Sequence, residues 1–297
     1  MKKYYIYIYL LIRNIYLNCF LKKPFILSNE KTISEIINNK KSFARFGDGE
    51  FRMLLDQNEK IGFQDKNYEL TNRLREVLNS SSEKLLIGLT NTFQYNFNFT
   101  LDSQIFWLGF NAVYGKKILQ KIKKDKIYGD SLITRFYMPF RDKTQTHIKV
   151  LNLKKIWDGK ELLIIEGENT KLGVGNDLFA NSKSINRLIC PSKNAFNVYD
   201  QIVQQATYYG KDKMILIALG PTATILAHDL AHRGLWAIDI GHVDVEYMWF
   251  LKQCLKKSSI EGKSVNEVVD RERKDDSKIE WSNQSEYNQS IINKISG

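Results

Sequence analysis

The sequence predicts an α/β fold, a doubly wound and mostly parallel sheet with helices on both faces. Four short apolar runs in the second half, Leu162 to Ile165, Arg187 to Cys190, Met214 to Leu219 and Leu235 to Ile240, each end in Gly, Pro or acidic residues. Strands buried on both faces have this signature. Met214 to Ile240 also reads as a complete crossover: a strand stops at Gly220, Pro221 takes the first helical position, and Gly234 closes the helix before the next strand. Most polar motifs follow directly on such runs, where open parallel sheets bind their ligands.

In chain order, the first element is an Ile/Tyr/Leu-rich segment, residues 4 to 21, flanked by Lys2, Lys3, Lys22 and Lys23. It fits three placements: packed on the domain, lying in a membrane interface, or spanning a bilayer. Arg13, Asn14 and Asn18 interrupt it and weaken the span, its tyrosines suit an interface, and no small-residue signal-peptide cleavage site follows. Lys31 to Asn39 reads as a helix with Ile33, Ile36 and Ile37 at helical spacing. Ser42 to Phe46 reads as a strand running into Gly47-Asp-Gly-Glu50, with a helical restart at Phe51, a helix over Leu70 to Leu78 and a strand over Lys84 to Leu89. The aromatic run from Phe93 to Phe110 is expected in helix and loop packing. Beyond Leu255 the chain turns polar, with Arg271 to Lys274 and Asp275, Asp276, as in a peripheral helix and loose tail. The organisation expected is therefore 1–27 as a candidate membrane-interface anchor, 28–255 as the main domain and 256–297 as a polar C-terminal helix and tail.

With 297 residues, of which 43% are hydrophobic, the chain can bury a sizeable core, which excludes a disordered protein. Its net charge of +11 includes the lysines at 116, 117, 121, 123, 124 and 126, which attract phosphates, anionic lipid or acidic glycans. Nucleic acid is not an expected partner, because there is no basic recognition helix, no paired CxxC and no RNP-like aromatic motif. Cys19, Cys190 and Cys254 are odd in number and far apart, which argues against a disulfide framework or a zinc ribbon and fits a reducing, cytoplasmic compartment. If residues 4 to 21 lie in an interface, the expected location is the inner face of the cell membrane.

The segment Phe43-Ala-Arg-Phe-Gly-Asp-Gly-Glu50 carries the most chemistry. Asp48 and Glu50 are two residues apart, so in an extended segment both carboxylates project to one side, where one hard cation can bridge them. Gly47 and Gly49 let backbone approach a ligand, and Arg45 is suited to bidentate pairing with a phosphate. An acidic surface turn gives the same pattern. Gly173-x-Gly175 with Asn176 and Asp177 can form an anion-cradling loop, although two glycines are a weak signal. Gly220-Pro-Thr-Ala223, opening a helix after a strand, is the better anion site because free amides and the helix dipole converge there; Thr222 and Thr224 can add hydroxyls.

These motifs, taken together with Tyr128-Gly-Asp-Ser131 and Arg135, Ile156-Trp-Asp-Gly159, Glu166-Gly167, Gly173-Val-Gly-Asn-Asp-Leu-Phe179, Cys190-Pro-Ser192 and Asp239-Ile-Gly-His242 followed by Asp244, Glu246 and Tyr247, resemble the GT-D type of glycosyltransferase. The resemblance covers roughly residues 28 to 250 in the family's order. It implies a Rossmann-like fold in which Asp48 and Glu50 bind manganese or magnesium and the diphosphate of a UDP-sugar. It implies further that Arg45 contacts phosphate or sugar and that His242 and Glu246 are active-site residues; Glu246 is the candidate general base for the acceptor hydroxyl, and His242 is suited to contact the diphosphate or stabilise the leaving group. The acceptor it implies is an oligosaccharide, a lipid-linked glycan or a glycoprotein glycan in surface polysaccharide or glycoprotein assembly. Leu89-Thr-Asn-Thr-Phe93 and Met138-Pro139-Phe140 depart from the expected family pattern and bear on acceptor choice, not on the acidic pair.

Two rivals stand beside this expectation. A non-catalytic nucleotide-sugar or glycan-binding module would keep the fold without turnover. A metal-dependent hydrolase would use His228 and His232, four residues apart, but Asp229 stands where such a helix carries its Glu and no third ligand is evident.

Overall fold

The computed structural model describes residues 2–55, 62, 64, 65, 67–93, 97–263, 265 and 283–297. Among these residues nine strands form one sheet: β1 (Phe25–Ile26), β2 (Ser42–Phe46), β3 (Leu85–Leu89), β4 (Ile127–Asp130), β5 (Glu161–Gly167), β6 (Ser184–Cys190), β7 (Met214–Ala218), β8 (Trp236–Asp239) and β9 (Ile291–Lys294). They lie in the order β1-β4-β3-β2-β8-β7-β5-β6-β9, and every pairing is parallel. The helices are α1 (Lys2–Phe20), α2 (Asn29–Asn38), α3 (Asp48–Leu55), α4 (Tyr68–Asn79), α5 (Leu101–Phe110), α6 (Lys116–Lys121), α7 (Thr146–Lys154), α8 (Tyr199–Tyr209), α9 (Pro221–His232), α10 (Val243–Leu251) and α11 (Gln284–Ser290). A π-helical turn, Asn111–Gly115, joins α5 to α6.

Strand alternation divides the interior into two cores. Ala44, Phe46, Ile87, Leu89, Ile165 and Ile217 pack with Phe51 of α3, Leu74 of α4, Ile202 of α8 and Leu226 of α9. Phe43, Leu86, Ile164 and Leu216 point the other way and pack with Ile36 of α2, Leu153 of α7 and Trp249 of α10. Because successive residues of a strand face opposite sides, an uninterrupted apolar run covered by helices on both faces is what a doubly wound sheet requires. The expected fold class holds.

The first half of the sheet lies on one side of β2 and the second half on the other, joined where β2 pairs β8 through Phe43 and Ile238. Ser42 reinforces this seam: its hydroxyl donates to the Leu235 carbonyl at 3.1 Å and accepts from the Ala237 amide at 2.9 Å.

Two differences from the sequence expectation stand out. The segment beyond 255 is not simply a tail: β9 adds a parallel edge strand to β6, and Ile260, Lys263 and Val265 are buried. The charged stretch 271–276 lies outside the described residues. At the other end, α1 packs one side against α5. Asn14, buried, donates from Nδ2 to the Leu108 carbonyl at 2.9 Å, and the Tyr7 hydroxyl donates to Gln104 Oε1 at 2.9 Å. Among the described residues no helix is long and apolar enough to cross a membrane, so the spanning placement finds no support.

The Phe43 ring is gripped between two glycines on neighbouring strands. A Cβ on Gly88 would come within 2.5 Å of Phe43 Cζ, and one on Gly129 within 2.8 Å of Cε2. Overpacking of this kind costs typically 1–3 kcal/mol, so Gly88→Ala is expected to lower the denaturation midpoint by about that amount. Adding Phe43→Leu should recover part of the loss in a double-mutant cycle; additive losses would show that the ring is not the obstacle.

Candidate functional site

The loops at the carboxyl ends of the strands close around a cavity of about 330 Å³. Its wall takes Arg45, Gly47, Asp48 and Glu50 after β2, Thr90 after β3, Ser131 and Arg135 after β4, Thr170 and Leu172 after β5, Ser192 after β6, Gly220 after β7, and Asp239, Gly241, His242 and Asp244 at the end of β8; Trp107 enters from α5. This is where an open parallel sheet places its ligand.

Arg45 is fixed from four directions. Its Nε donates to Asp239 Oδ1 at 3.3 Å, and its Nη1 donates to the Ser131 carbonyl at 3.4 Å and to the Thr134 hydroxyl. The Thr224 hydroxyl donates to the Arg45 carbonyl at 2.9 Å and stands 3.3 Å from Asp239 Oδ2. Gly241, at φ +46°, lies against the guanidinium so closely that a Cβ there would collide with Nη2. Only glycine fits both the backbone angle and the space.

The acidic pair is not extended, as the sequence had suggested. Asp48 begins α3 and Glu50 sits in its first turn. Glu50 Oε2 accepts from the Gly47 amide at 2.8 Å, the return half of a capping box, which ties Glu50 to the helix start. Asp48 keeps a half-exposed carboxylate whose nearest ion pair, Arg52 Nε, is 3.9 Å away. Burial, then the nearby Asp239 charge, push the Glu50 carboxyl up to about 7, against the Gly47 amide and Arg45. Burial also raises Asp239, opposed chiefly by Arg45. A divalent cation suits such oxygens, because its charge would favour the ionised carboxylate that burial and the Asp239 charge disfavour at Glu50. Among the described residues no group of three or more His, Cys, Asp or Glu could hold a metal, so protein ligands would have to be completed by donor oxygens or water.

Of the residues expected from sequence, Arg45, Gly47, Asp48, Glu50, Gly220 and His242 line this cavity, and Asn176, Thr222 and Glu246 do not. Glu246 is fully buried. Its Oε1 accepts from the Tyr137 and Met138 amides at 2.8 and 2.6 Å, and its Oε2 lies 3.5 Å from Arg135 Nη1. A carboxylate committed to two amides anchors the 135–138 segment and is not placed as a general base. Asn176 donates from Nδ2 to Asp244 Oδ1 at 2.7 Å and faces a neighbouring depression. The Gly173 and Gly175 amides are used by Asp244 Oδ1 and Asn283 Oδ1, both at 2.8 Å, so this loop is no anion cradle. Thr222 is fully buried, and its hydroxyl has no hydrogen-bond partner among the described residues.

Asp239, Ser131 and Trp107 were not expected as site residues. Ser131, 3% exposed and on the cavity wall, has a hydroxyl with no hydrogen-bond partner among the described residues. The signal for Asp239 was present in its position at the end of an apolar strand; Trp107 gave none, since it comes from a helix outside the strand-loop pattern. Asp244 lines the cavity but is held by Lys263 Nζ at 2.5 Å, Gly173 and Asn176, and so stiffens the wall.

The histidines of α9 do not converge on a common point. Their rings pack with centroids 4.2 Å apart; His228 Nδ1 pairs with Asp229, and His232 Nδ1 with the His228 carbonyl. Asp229 is further engaged by Arg73 and Tyr199, which leaves it no role as a hydrolytic base.

Comparison with known proteins shows the family. The sequence model of the family described as Glycosyltransferase GT-D fold matches residues 43–268. The chain belongs to the GT-D family. It is 35% identical over 267 residues to "Glycosyltransferase GlyD" of Streptococcus pneumoniae serotype 4, and 35% identical over 268 residues to "Probable glycosyl transferase Gly" of Streptococcus gordonii. Each match covers 90% of this chain but only 32% and 38% of the relative, so the chain spans about a third of the length of these curated relatives. A solved structure of domain of unknown function 1792, described as having a distinct glycosyltransferase fold, superposes with a TM-score of 0.84 at 34% identity, covering 93% of this chain and 97% of that one. A second, a DUF1792 glycosyltransferase from Streptococcus sanguinis, gives a TM-score of 0.83 at 33% identity, covering 92% and 100%. This GT-D chain therefore shares both sequence and fold with proteins of that family along most of its length.

Two expectations follow for the site. In metal-free protein Glu50 holds a proton between about pH 4.5 and about 7 that the unfolded chain has released, so its contribution to stability falls as pH rises through that window. Glu50→Gln keeps the bond from Gly47 and removes the titration; melting followed from pH 4.5 to 7.5 should show the variant gaining on wild type with rising pH, and parallel curves would refute the assignment. Glu246→Ala should cost about 1–3 kcal/mol in denaturant unfolding, because two buried amides lose their acceptor.

Proposed function

We propose that this GT-D chain is a metal-dependent glycosyltransferase that moves a hexose from a UDP-sugar to a glycan acceptor, carried on an oligosaccharide, a lipid or a glycoprotein, in surface polysaccharide or glycoprotein glycan assembly. What supports this is the convergence of Arg45, Asp48, Glu50, Gly220 and His242 on one cavity. Asp48 and Glu50 are the groups that would hold manganese or magnesium, which when bound neutralises the diphosphate and makes it a better leaving group.

The chain's own residues do the rest. Arg45, already oriented by Asp239, Thr134 and Ser131, offers its charge to the diphosphate without having to be ordered on binding. At Gly220 the start of α9 faces the same cavity; Pro221 has no amide hydrogen and the Ala223 amide donates to the Gly220 carbonyl, so it is chiefly the helix dipole that favours an anion there. His242, at the N-terminal cap of α10, is the imidazole of this wall and is assigned to the leaving group as a hydrogen-bond donor. Trp107 and the Ser131 hydroxyl supply an apolar face and a hydrogen-bonding group of the kind a sugar ring uses.

Calorimetric titration of UDP with and without manganese tests the donor site. Binding should require the metal and become at least about tenfold weaker, the equivalent of ~1.4 kcal/mol, in Asp48→Ala and in Glu50→Ala. Donor hydrolysis or transfer in the same preparations separates an enzyme from a binding module: metal-dependent binding with no turnover of any UDP-sugar would favour the module, and binding indifferent to both carboxylates would remove the site.

A further inference from the structure

Helix α1 has two apolar sides, one packed on the fold and one exposed. Towards the protein, Leu10 packs near Gly109 and Leu17 near Gly115, alongside the buried Asn14. The opposite side carries Tyr4, Tyr5, Ile8, Tyr9, Ile12 and Ile15, each between 53% and 72% exposed. At 100° per residue these six positions fall within one continuous sector of the helix. Phe20 at the helix end and Phe25 on β1 are exposed as well, as are Ile127, paired with Phe25 on β4, and Val113 on the π-turn that α1 contacts.

Charge selects the occupant. Helix α1 contains no acidic residue; exposed Lys22 follows its end, while Lys3 at its start is paired with Asp102 of α5. Beyond Gly115, against which Leu17 packs, exposed Lys116, Lys117 and Lys121 follow on α6. A second copy of the chain would bring the same positive rim and the same net charge of +11, and would be repelled. An anionic lipid surface complements both features: the lysines meet its phosphates, while tyrosines and isoleucines enter the boundary between headgroups and acyl chains. The helix is too polar to cross a bilayer, which leaves it lying in the interface.

We infer that the outward face of α1, extended by Phe20 and Phe25, is a docking surface for an anionic phospholipid membrane. The inner face of α1 grips α5, and α5 carries Trp107 into the cavity wall. A docked membrane therefore lies beside the helix that forms one wall of the site, which suits a lipid-linked acceptor; this last step alone rests on the proposed glycosyltransferase function.

Vesicle co-sedimentation tests the surface without any sugar donor, so its failure leaves the enzymatic proposal untouched. The full chain should bind vesicles of phosphatidylglycerol and phosphatidylcholine, bind phosphatidylcholine vesicles poorly, and lose binding as salt rises. Tyr5→Ser, Ile8→Ser and Ile12→Ser combined should weaken binding at least about tenfold, because each removes apolar surface from the interface. These side chains are exposed, so an unchanged far-ultraviolet circular dichroism spectrum and melting midpoint are expected, and UDP binding should persist. No sedimentation with anionic vesicles, sedimentation indifferent to the triple substitution, or a concentration-dependent dimer in light scattering that the substitution abolishes would each overturn the inference.

Discussion

The Arg45–Asp239 pair is the contact on which the site depends, because it crosses the seam between the two halves of the sheet. Arg45 comes from β2 and Asp239 from β8, the strands at which the outgoing and returning parts of the chain meet. Neither charge would be tolerated so deeply buried without the other. Each also satisfies a further element: Arg45 reaches the turn after β4 through Ser131 and Thr134, and Asp239 accepts from the Gly241 amide and stands against Thr224 of α9. One pair therefore ties together the ends of β2, β8 and β4 and the first turn of α9. Removing one partner of such a pair leaves the other buried and uncompensated, which is why these contacts resist piecemeal change.

The same electrostatic arrangement prepares the cavity for a charged ligand. Asp239 occupies the guanidinium on one side, and its charge adds to the burial that raises the neighbouring Glu50. The carboxyl groups are thus held in a state that gains most from an incoming cation, and the guanidinium in an orientation that an incoming diphosphate can use. A preorganised site of this kind has little left to order when a ligand arrives. Outside this inner ring a second layer, Glu166 with Arg187 and Asp244 with Lys263, fixes the loop at Leu172 and Gly173 that closes the far wall. Lys263 lies beyond the expected domain boundary, so the C-terminal segment takes part in building the cavity wall as well as the sheet edge.

The sequence by itself determined the class of fold and the inner site. Buried parallel strands must be apolar on both faces, so β2, β3, β5, β6, β7 and β8 were visible as apolar runs, and their ends marked where Arg45, Asp48, Glu50, Gly220 and His242 would gather. The edge strands β1 and β9 were not visible, because two to four residues carry no periodicity, nor was β4, which has only Ile127 and Tyr128 before Gly129 and Asp130. Tertiary structure alone decided what each polar group does. Glu246, Asn176 and the Gly173–Gly175 loop have the composition of ligand-binding residues, yet their donors and acceptors are consumed by Tyr137 and Met138, by Asp244 and by Asn283. A motif records which groups are present, whereas hydrogen bonds between segments far apart in sequence decide which remain turned towards a ligand. The same holds for α1: its apolar composition was plain, but only its packing on α5 separated the side that builds the protein from the side left to face outward.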